Sequence, residues 1–168
     1  MIIGKSYING VEAKVYRGAN LIYPIGNPNL IINGTFTNGL TGWSSRNSIL
    51  TVEDFDGVKV VKVADSGAYS QAYQSTDTVN GLVYALSFDY AQQPVSTQAI
   101  VVDVYDGDGE PPSAVGDLAV QSISSATNTT TLLSDTFQFT ATSNKTTIAL
   151  RSNSGNYDLF TNIILEVI

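Results

Sequence analysis

The side chains with a capacity for chemistry are few, and their types narrow that chemistry at once. No histidine and no cysteine occurs in the 168 residues. That removes the commonest general base, the Ser-His-Asp arrangement, thiolate nucleophiles and thiolate zinc sites. What remains is a set of hydrogen-bonding groups on alternating segments: Asp89, Asp103, Gln138 and Arg151, with Tyr105 beside them as a flat ring. Carboxylate, amide and guanidinium groups meet hydroxyls, and an aromatic face stacks on a pyranose ring. Such groups suit a polyhydroxylated ligand, a sugar among them. Cleaving one takes two carboxylates across a cleft. Asp89 and Asp103 fall on neighbouring candidate strands and are the pair to consider, but no catalytic motif surrounds them, so no catalytic residue is assigned. A plainer reading is also open. Outer faces of sandwiches are polar by default, and Asp103 with Arg151 can be a cross-strand ion pair.

Charge and hydropathy exclude two further classes. The net charge is −7 with eight Lys and Arg, and Arg17, Arg46, Lys59 and Lys62 are scattered. A phosphate-tracking nucleic-acid binder needs a basic stripe. No segment approaches the ~20 apolar residues of a membrane-spanning helix. Met1-Ile2-Ile3-Gly4-Lys5 has no basic n-region, extended apolar core or small-residue cleavage site, so no secretory leader is expected.

The elements that must position these residues are strands. Apolar residues recur with period two between clusters of Asn, Asp and Gly, the pattern of an all-β sandwich or barrel. Tyr84, Leu86, Phe88 and Tyr90 share one face. So do Ile100, Val102 and Val104, then Phe137 and Phe139, then Ile148 and Leu150. Burying these sets turns their alternates outward: Ser87, Asp89, Asp103, Tyr105, Gln138 and Arg151. Tyr69, Gln71 and Tyr73 share another face. The run Val58 to Val63 changes phase in its middle, which a bulge near Val60-Val61 explains. From Phe160 to Val167 both faces carry apolar residues. Asp106-Gly107-Asp108-Gly109-Glu110-Pro111-Pro112 has turn composition. With Asp103 it also gathers four acids, at spacings that do not match a calcium-binding EF-hand loop.

The first 25 residues stand apart. Asn9-Gly10 is a strong two-residue hairpin signal, because both positions of a type I′ turn take positive φ. A second turn falls at Arg17 to Asn20, and Leu21-Ile22-Tyr23 gives a third strand ended by Pro24. So short a piece cannot bury a core alone and must lean on the main domain or on another chain. Tyr7, Val11, Val15, Tyr16, Leu21 and Tyr23 are its candidate attachment or oligomer contacts. Gly26-Asn27-Pro28-Asn29 marks the boundary between this element, 1–25, and a main domain, 29–168.

Residues 29–168 resemble a known family. Asn29-Leu30-Ile31-Ile32-Asn33-Gly34-Thr35-Phe36, then Gly39-Leu40-Thr41-Gly42-Trp43, is similar to the opening of carbohydrate-binding modules of the xylanase and glucanase type. Tyr69-Ser70-Gln71 and Gly81-Leu82-Val83-Tyr84-Ala85-Leu86-Ser87-Phe88 resemble two of that family's later strands. The segments from Phe137, from Thr147 and from Phe160 track its last three. The resemblance implies a jelly-roll β-sandwich of galactose-binding-like type, a packing role for Trp43, and binding without catalysis. The family often holds a structural calcium, using an acid just after the Phe and an aspartate in the last strand. Here those positions read Thr37 and Thr161, and neither supplies a carboxylate. No cofactor is expected, with a structural calcium left open.

The opening segment Val15-Tyr16-Arg17-Gly18-Ala19-Asn20-Leu21-Ile22-Tyr23-Pro24 resembles short elements near the start of bacteriophage tail and capsid-associated proteins. That resemblance implies a virion structural protein: a capsid decoration, head fibre or tail-fibre accessory on the particle surface. Other virion proteins of capsid or tail and further copies of the chain would be its partners, and host surface glycans would be the ligands of the displayed sandwich. A stand-alone carbohydrate-binding module is the alternative.

Overall fold

The computed structural model describes residues 3–8, 11–17, 20–23, 28–65, 70–93, 100–111, 119–123, 131–152 and 157–168. Regular structure among them is entirely strand. The strands are β1 (Ile3–Ile8), β2 (Val11–Arg17), β3 (Asn20–Tyr23), β4 (Ser44–Arg46), β5 (Ser48–Phe55), β6 (Val58–Asp65) and β7 (Ser70–Asp77). They continue with β8 (Val83–Gln93), β9 (Ile100–Asp106), β10 (Ala119–Ile123), β11 (Leu133–Thr140), β12 (Lys145–Ser152) and β13 (Tyr157–Val167). The first three form an antiparallel sheet of their own. Ile8 pairs with Val11 across the expected two-residue connection. Asn9, Gly10 and Pro24 lie outside the described residues, as do the side-chain surroundings of Tyr7, Val11, Val15, Tyr16, Leu21 and Tyr23.

The remaining strands make two five-stranded antiparallel sheets, a sandwich of the jelly-roll kind. Sheet I has the order β10-β9-β12-β7-β4, and sheet II the order β11-β8-β13-β6-β5. The period-two pattern selects which side chains lie between them. Sheet I contributes Ala72, Ile100, Val102, Val104, Ile148 and Leu150, while sheet II contributes Tyr84, Leu86, Phe88, Tyr90 and Phe160. Phe36 and Trp43 close one edge of this core with ring centroids 5.2 Å apart, and the Trp43 indole N–H donates to the Asn33 carbonyl at 3.3 Å. The large apolar body is buried and the polar handle satisfied, so Trp43 packs as the sequence implied.

One strand reading needs correction. The β5–β6 register runs unbroken from Ser48↔Asp65 to Phe55↔Val58, so there is no bulge at Val60-Val61. Val60 faces away from the main core but packs with Ala91 and Leu159 in a second apolar cluster. An apolar residue on each face is what broke the alternation. The bulge lies in β13 instead, between Thr161 and Ile164, where Asn162 takes φ 51°. It shifts the inward set from Phe160 to Ile163, Leu165 and Val167.

That bulge is clamped by the segment before β4. The Asn29 amide donates to the Ile163 carbonyl at 2.9 Å, and its oxygen accepts from the Leu165 and Ile31 amides. Gly34 lies so close that an added Cβ would stand 2.1 Å from the Ile163 carbonyl oxygen. Only glycine permits this approach of two backbones.

At one end of the sandwich a polar group spans the sheets. Asp158 of β13 points inward, is 1% exposed, and meets Ser152 of sheet I and Gln92 of sheet II. Burial pushes its carboxyl up to about 7, against the opposing effect of hydrogen bonds from Ser152 and Gln92. Its Oδ1 accepts no hydrogen bond.

Candidate functional site

The two sheets divide the residues that the sequence put together. Asp103 and Tyr105 are on β9 and Arg151 is on β12, in sheet I, whereas Asp89 is on β8 and Gln138 on β11, in sheet II. One cleft does not contain all five. Asp89 is already used: the Ser134 hydroxyl and the Asn162 amide each donate to one of its oxygens. Gln138 lies exposed on the edge strand β11, opposite Ala85. Asp89 and Asp103 were placed on adjacent strands, but β8 and β9 belong to different sheets, and a carboxylate pair across one cleft is not formed by them.

The outer face of sheet I carries the richer constellation. Register aligns Arg46, Gln71 and Arg151 in one row across β4, β7 and β12. The next row is Ser44, Tyr73, Ala149 and Asp103, and a third is Ser75, Thr147 and Tyr105. The Gln71 amide lies 3.4 Å from the Tyr105 hydroxyl, which donates to Asp103 Oδ2 at 2.9 Å. Arg151 Nε stands 3.5 Å from the same carboxylate oxygen. The ion pair that the plainer reading anticipated is therefore present, within a larger network.

Burial sets the electrostatics of this network. Gln71 and Asp103 are fully buried and Tyr105 and Arg151 nearly so, although all four belong to the outer face. Burial raises the Asp103 carboxyl, with the Arg151 charge and the Tyr105 hydroxyl pulling the other way. The Tyr105 hydroxyl is pushed up to about 12, first by burial and then by the Asp103 charge. Two acceptors in the network receive no hydrogen bond, Gln71 Oε1 and Asp103 Oδ1. A buried acceptor left unmet costs about 1–3 kcal/mol, more for a charged group. Both atoms are matched by what a hydroxyl donates.

One segment crosses this face. After β9 the chain passes through Gly107, whose amide donates to the Lys145 carbonyl at 2.9 Å, and Asp108, 3.5 Å from the Lys145 ammonium. The Gly109 amide then donates to Ser75 Oγ on β7 at 3.0 Å. Glu110 reaches Arg46 on β4, with Oε1 3.3 Å from Nε. The Asp- and Gly-rich stretch that reads as a plain turn is thus a strap from β9 over β12 and β7 to β4. Among the described residues no three His, Cys, Asp or Glu side chains gather as metal ligands.

Thr37 and Thr161, the positions at which the family carries its calcium acids, come together. A depression of about 400 Å³ is lined by Thr35, Thr37, Asp54, Lys59, Thr161 and Asn162, among others. The Thr161 hydroxyl donates to the Lys59 carbonyl at 2.7 Å, and the one carboxylate of the lining, Asp54, is held by the Lys59 ammonium at 2.9 Å. Calcium takes six to eight oxygens, with carboxylates prominent. A threonine pair and an engaged ion pair do not fit it.

Comparison with known proteins agrees with this architecture. The profile of a carbohydrate-binding domain family matches residues 28–159. The chain belongs to that family. No curated protein matches it in sequence. Among solved structures, a family 4 carbohydrate-binding module is 18% identical, with a TM-score of 0.60 over 82% of this chain and 99% of that one. A family 61 module solved with β-1,4-galactotriose is 15% identical, with a TM-score of 0.55 over 84% and 99%. The enzymatically active domain of tailspike protein 4 from bacteriophage CBA120 is 14% identical, with a TM-score of 0.59. That match covers 83% of this chain and 21% of that one. At these identities the likenesses show the fold.

Within this carbohydrate-binding domain, sequence reasoning missed Gln71, Arg46 and Glu110. Gln71 could have been found, since it lies on the Tyr69-Gln71-Tyr73 face. Arg46 and Glu110 carry no local signal, because strand order alone brings them together.

Proposed function

We propose that the protein is a non-catalytic glycan-binding module whose ligand lies on the outer face of sheet I. The observation that carries this reading is the Gln71–Tyr105–Asp103–Arg151 network, with Gln71 Oε1 and Asp103 Oδ1 left as unmet acceptors. Each is an acceptor that a sugar hydroxyl would satisfy. Membership of a carbohydrate-binding family supports the ligand class. Half-buried Tyr73, beside Ala149, supplies a ring for stacking. A glycan array followed by titration of the retained sugar tests the reading. Gln71→Ala and Asp103→Asn should each weaken binding about tenfold or more, from the ~1.5–3 kcal/mol of a hydrogen bond to a charged group and somewhat less for the amide. Retention of no glycan, or undiminished binding by both variants, contradicts it.

A second reading keeps the same module and adds a virion role, with the sandwich as the displayed end and β1–β3 as the end that docks on capsid, tail or a further copy. Its support is that these strands hydrogen-bond into a sheet separate from the sandwich, and that one fold neighbour is a phage tailspike. Weak sites repeated in a symmetric particle would gain avidity for host glycans. Removing residues 1–25 should leave a folded sandwich that no longer incorporates into particles. Normal incorporation of that truncation would refute the docking role.

A further inference from the structure

We propose that Tyr105 is a positioning residue of the glycan site: its buried hydroxyl, committed as a donor to Asp103, turns the Gln71 amide so that Oε1 is the end left for a ligand. The inference rests on the glycan-binding reading and deepens it, by giving a role to a residue that the sugar need not touch.

The tyrosine ring is 4% exposed. A ring so covered has no open face for a sugar to stack on, and the hydroxyl is its one polar group. That hydroxyl sits between two side chains of the outer face of sheet I. It donates to Asp103 Oδ2 at 2.9 Å, and its oxygen lies 3.4 Å from Gln71 Nε2.

Directions along this chain follow from what each group can give. An ionised carboxylate only accepts, so the single Tyr105 proton goes to Asp103. Burial works against that ionised form, and the Arg151 charge, with Nε 3.5 Å from Oδ2, works for it. With its proton committed, the Tyr105 oxygen can only accept. An amide has a donor end and an acceptor end of nearly the same shape, and its partners decide which way it lies. The Nε2 end therefore turns to Tyr105, and Oε1 is the acceptor without a hydrogen bond. The reversed amide would set Oε1 against the Tyr105 oxygen, two acceptors with no proton between them. Hydrogen bonds in such a chain polarise one another, so the Asp103 charge strengthens the bond that the Tyr105 oxygen accepts.

Among the described residues, the neighbouring strands add few charges to this chain. Asp103 has Arg151 beside it from β12, and its register partners Ala149 on β12 and Val120 on β10 do not ionise. Gln71 shares its row with Arg46 of β4, whose Nε is 3.3 Å from Glu110 Oε1, and Tyr73 lies in the next row.

Side-chain amide NMR and binding together test the role, with the full chain. Gln71→Ala identifies the Gln71 amide signals. In the unaltered protein these signals should move with pH in step with the Asp103 carboxyl, since the hydroxyl between them carries the change. In Tyr105→Phe that movement should shrink about threefold or more. Asp103 should then titrate at higher pH, because the variant removes a hydrogen bond that favours the charged form. At pH 7 affinity for β-1,4-galactotriose or xylohexaose at millimolar concentration, whichever binds, should fall about threefold to tenfold in Tyr105→Phe, the effect of one misplaced neutral hydrogen bond. A role in packing alone would lower Tm and leave both the Gln71 signals and the Asp103 midpoint where they are. Gln71 signals that ignore Asp103 in the unaltered protein, a result that needs no variant to fold, overturn the positioning role and leave the glycan reading standing. Signals that follow Asp103 equally in Tyr105→Phe, or affinity undiminished in that variant, overturn it as well. Binding of neither probe by the unaltered protein overturns the glycan reading and with it the role in binding.

Discussion

Replacing Asp158 by Asn should flatten the dependence of stability on pH. Asp158 is buried between the sheets against Ser152 and Gln92, and burial lifts its carboxyl from the ordinary 3.8 to about 7. The folded state therefore holds this proton over a range in which the unfolded chain has released it. A raised carboxyl contributes stability that is fully present below the unfolded value and is lost as pH rises through the folded one. Across roughly three pH units, at about 1.4 kcal/mol per unit, the loss is about 4 kcal/mol between pH 4 and pH 7, with little further change above. Asparagine has the same shape and stays neutral. The variant should match the parent near pH 4 and exceed it by up to about 4 kcal/mol at pH 8. Asp103 is raised by burial too and adds a slope of the same sign, but to both proteins. The difference between two series of urea unfolding curves isolates Asp158. A variant less stable than the parent at pH 8, or parallel pH profiles, would refute the claim that a protonated carboxyl bridges the sheets.

Other perturbations probe the fold around the site. Gly34→Ala forces a Cβ against the Ile163 carbonyl oxygen and should destabilise by several kcal/mol, read as a large drop in Tm. Phe36→Ala removes a fully buried ring from the core edge and should cost about 3–5 kcal/mol in urea unfolding. Thr161→Val breaks the hydroxyl bond to the Lys59 carbonyl and should cost about 1–3 kcal/mol. Calcium or a chelator should leave the Tm of the unaltered protein where it is, since no carboxylate is free there; a calcium-dependent rise would show that the threonine pair does hold the ion.

The fold was legible because its signal is local. Period two placed Tyr84, Leu86, Phe88 and Tyr90 on one face, and Ile148 with Leu150 on another, and those faces form the core. The signal misled where a strand is covered on both sides. Val60 is apolar on the outer face, so the pattern imitated a bulge, while the real bulge in β13 was masked by apolar residues in both phases. The site was legible only in part. Asp103, Tyr105 and Arg151 do meet, because outward alternates of paired strands must. Asp89 and Gln138 do not join them, since alternation says which way a residue points and nothing about which sheet holds its strand. Arg46 and Glu110 lie 64 positions apart and meet only through the order β9-β12-β7-β4.

The most direct measurement is the structure of the protein with an oligosaccharide selected on a glycan array. The account predicts the sugar on the outer face of sheet I, its hydroxyls donating to Gln71 and Asp103. A sugar bound on sheet II beside Asp89 and Gln138, or in the depression at Thr37 and Thr161, would contradict it.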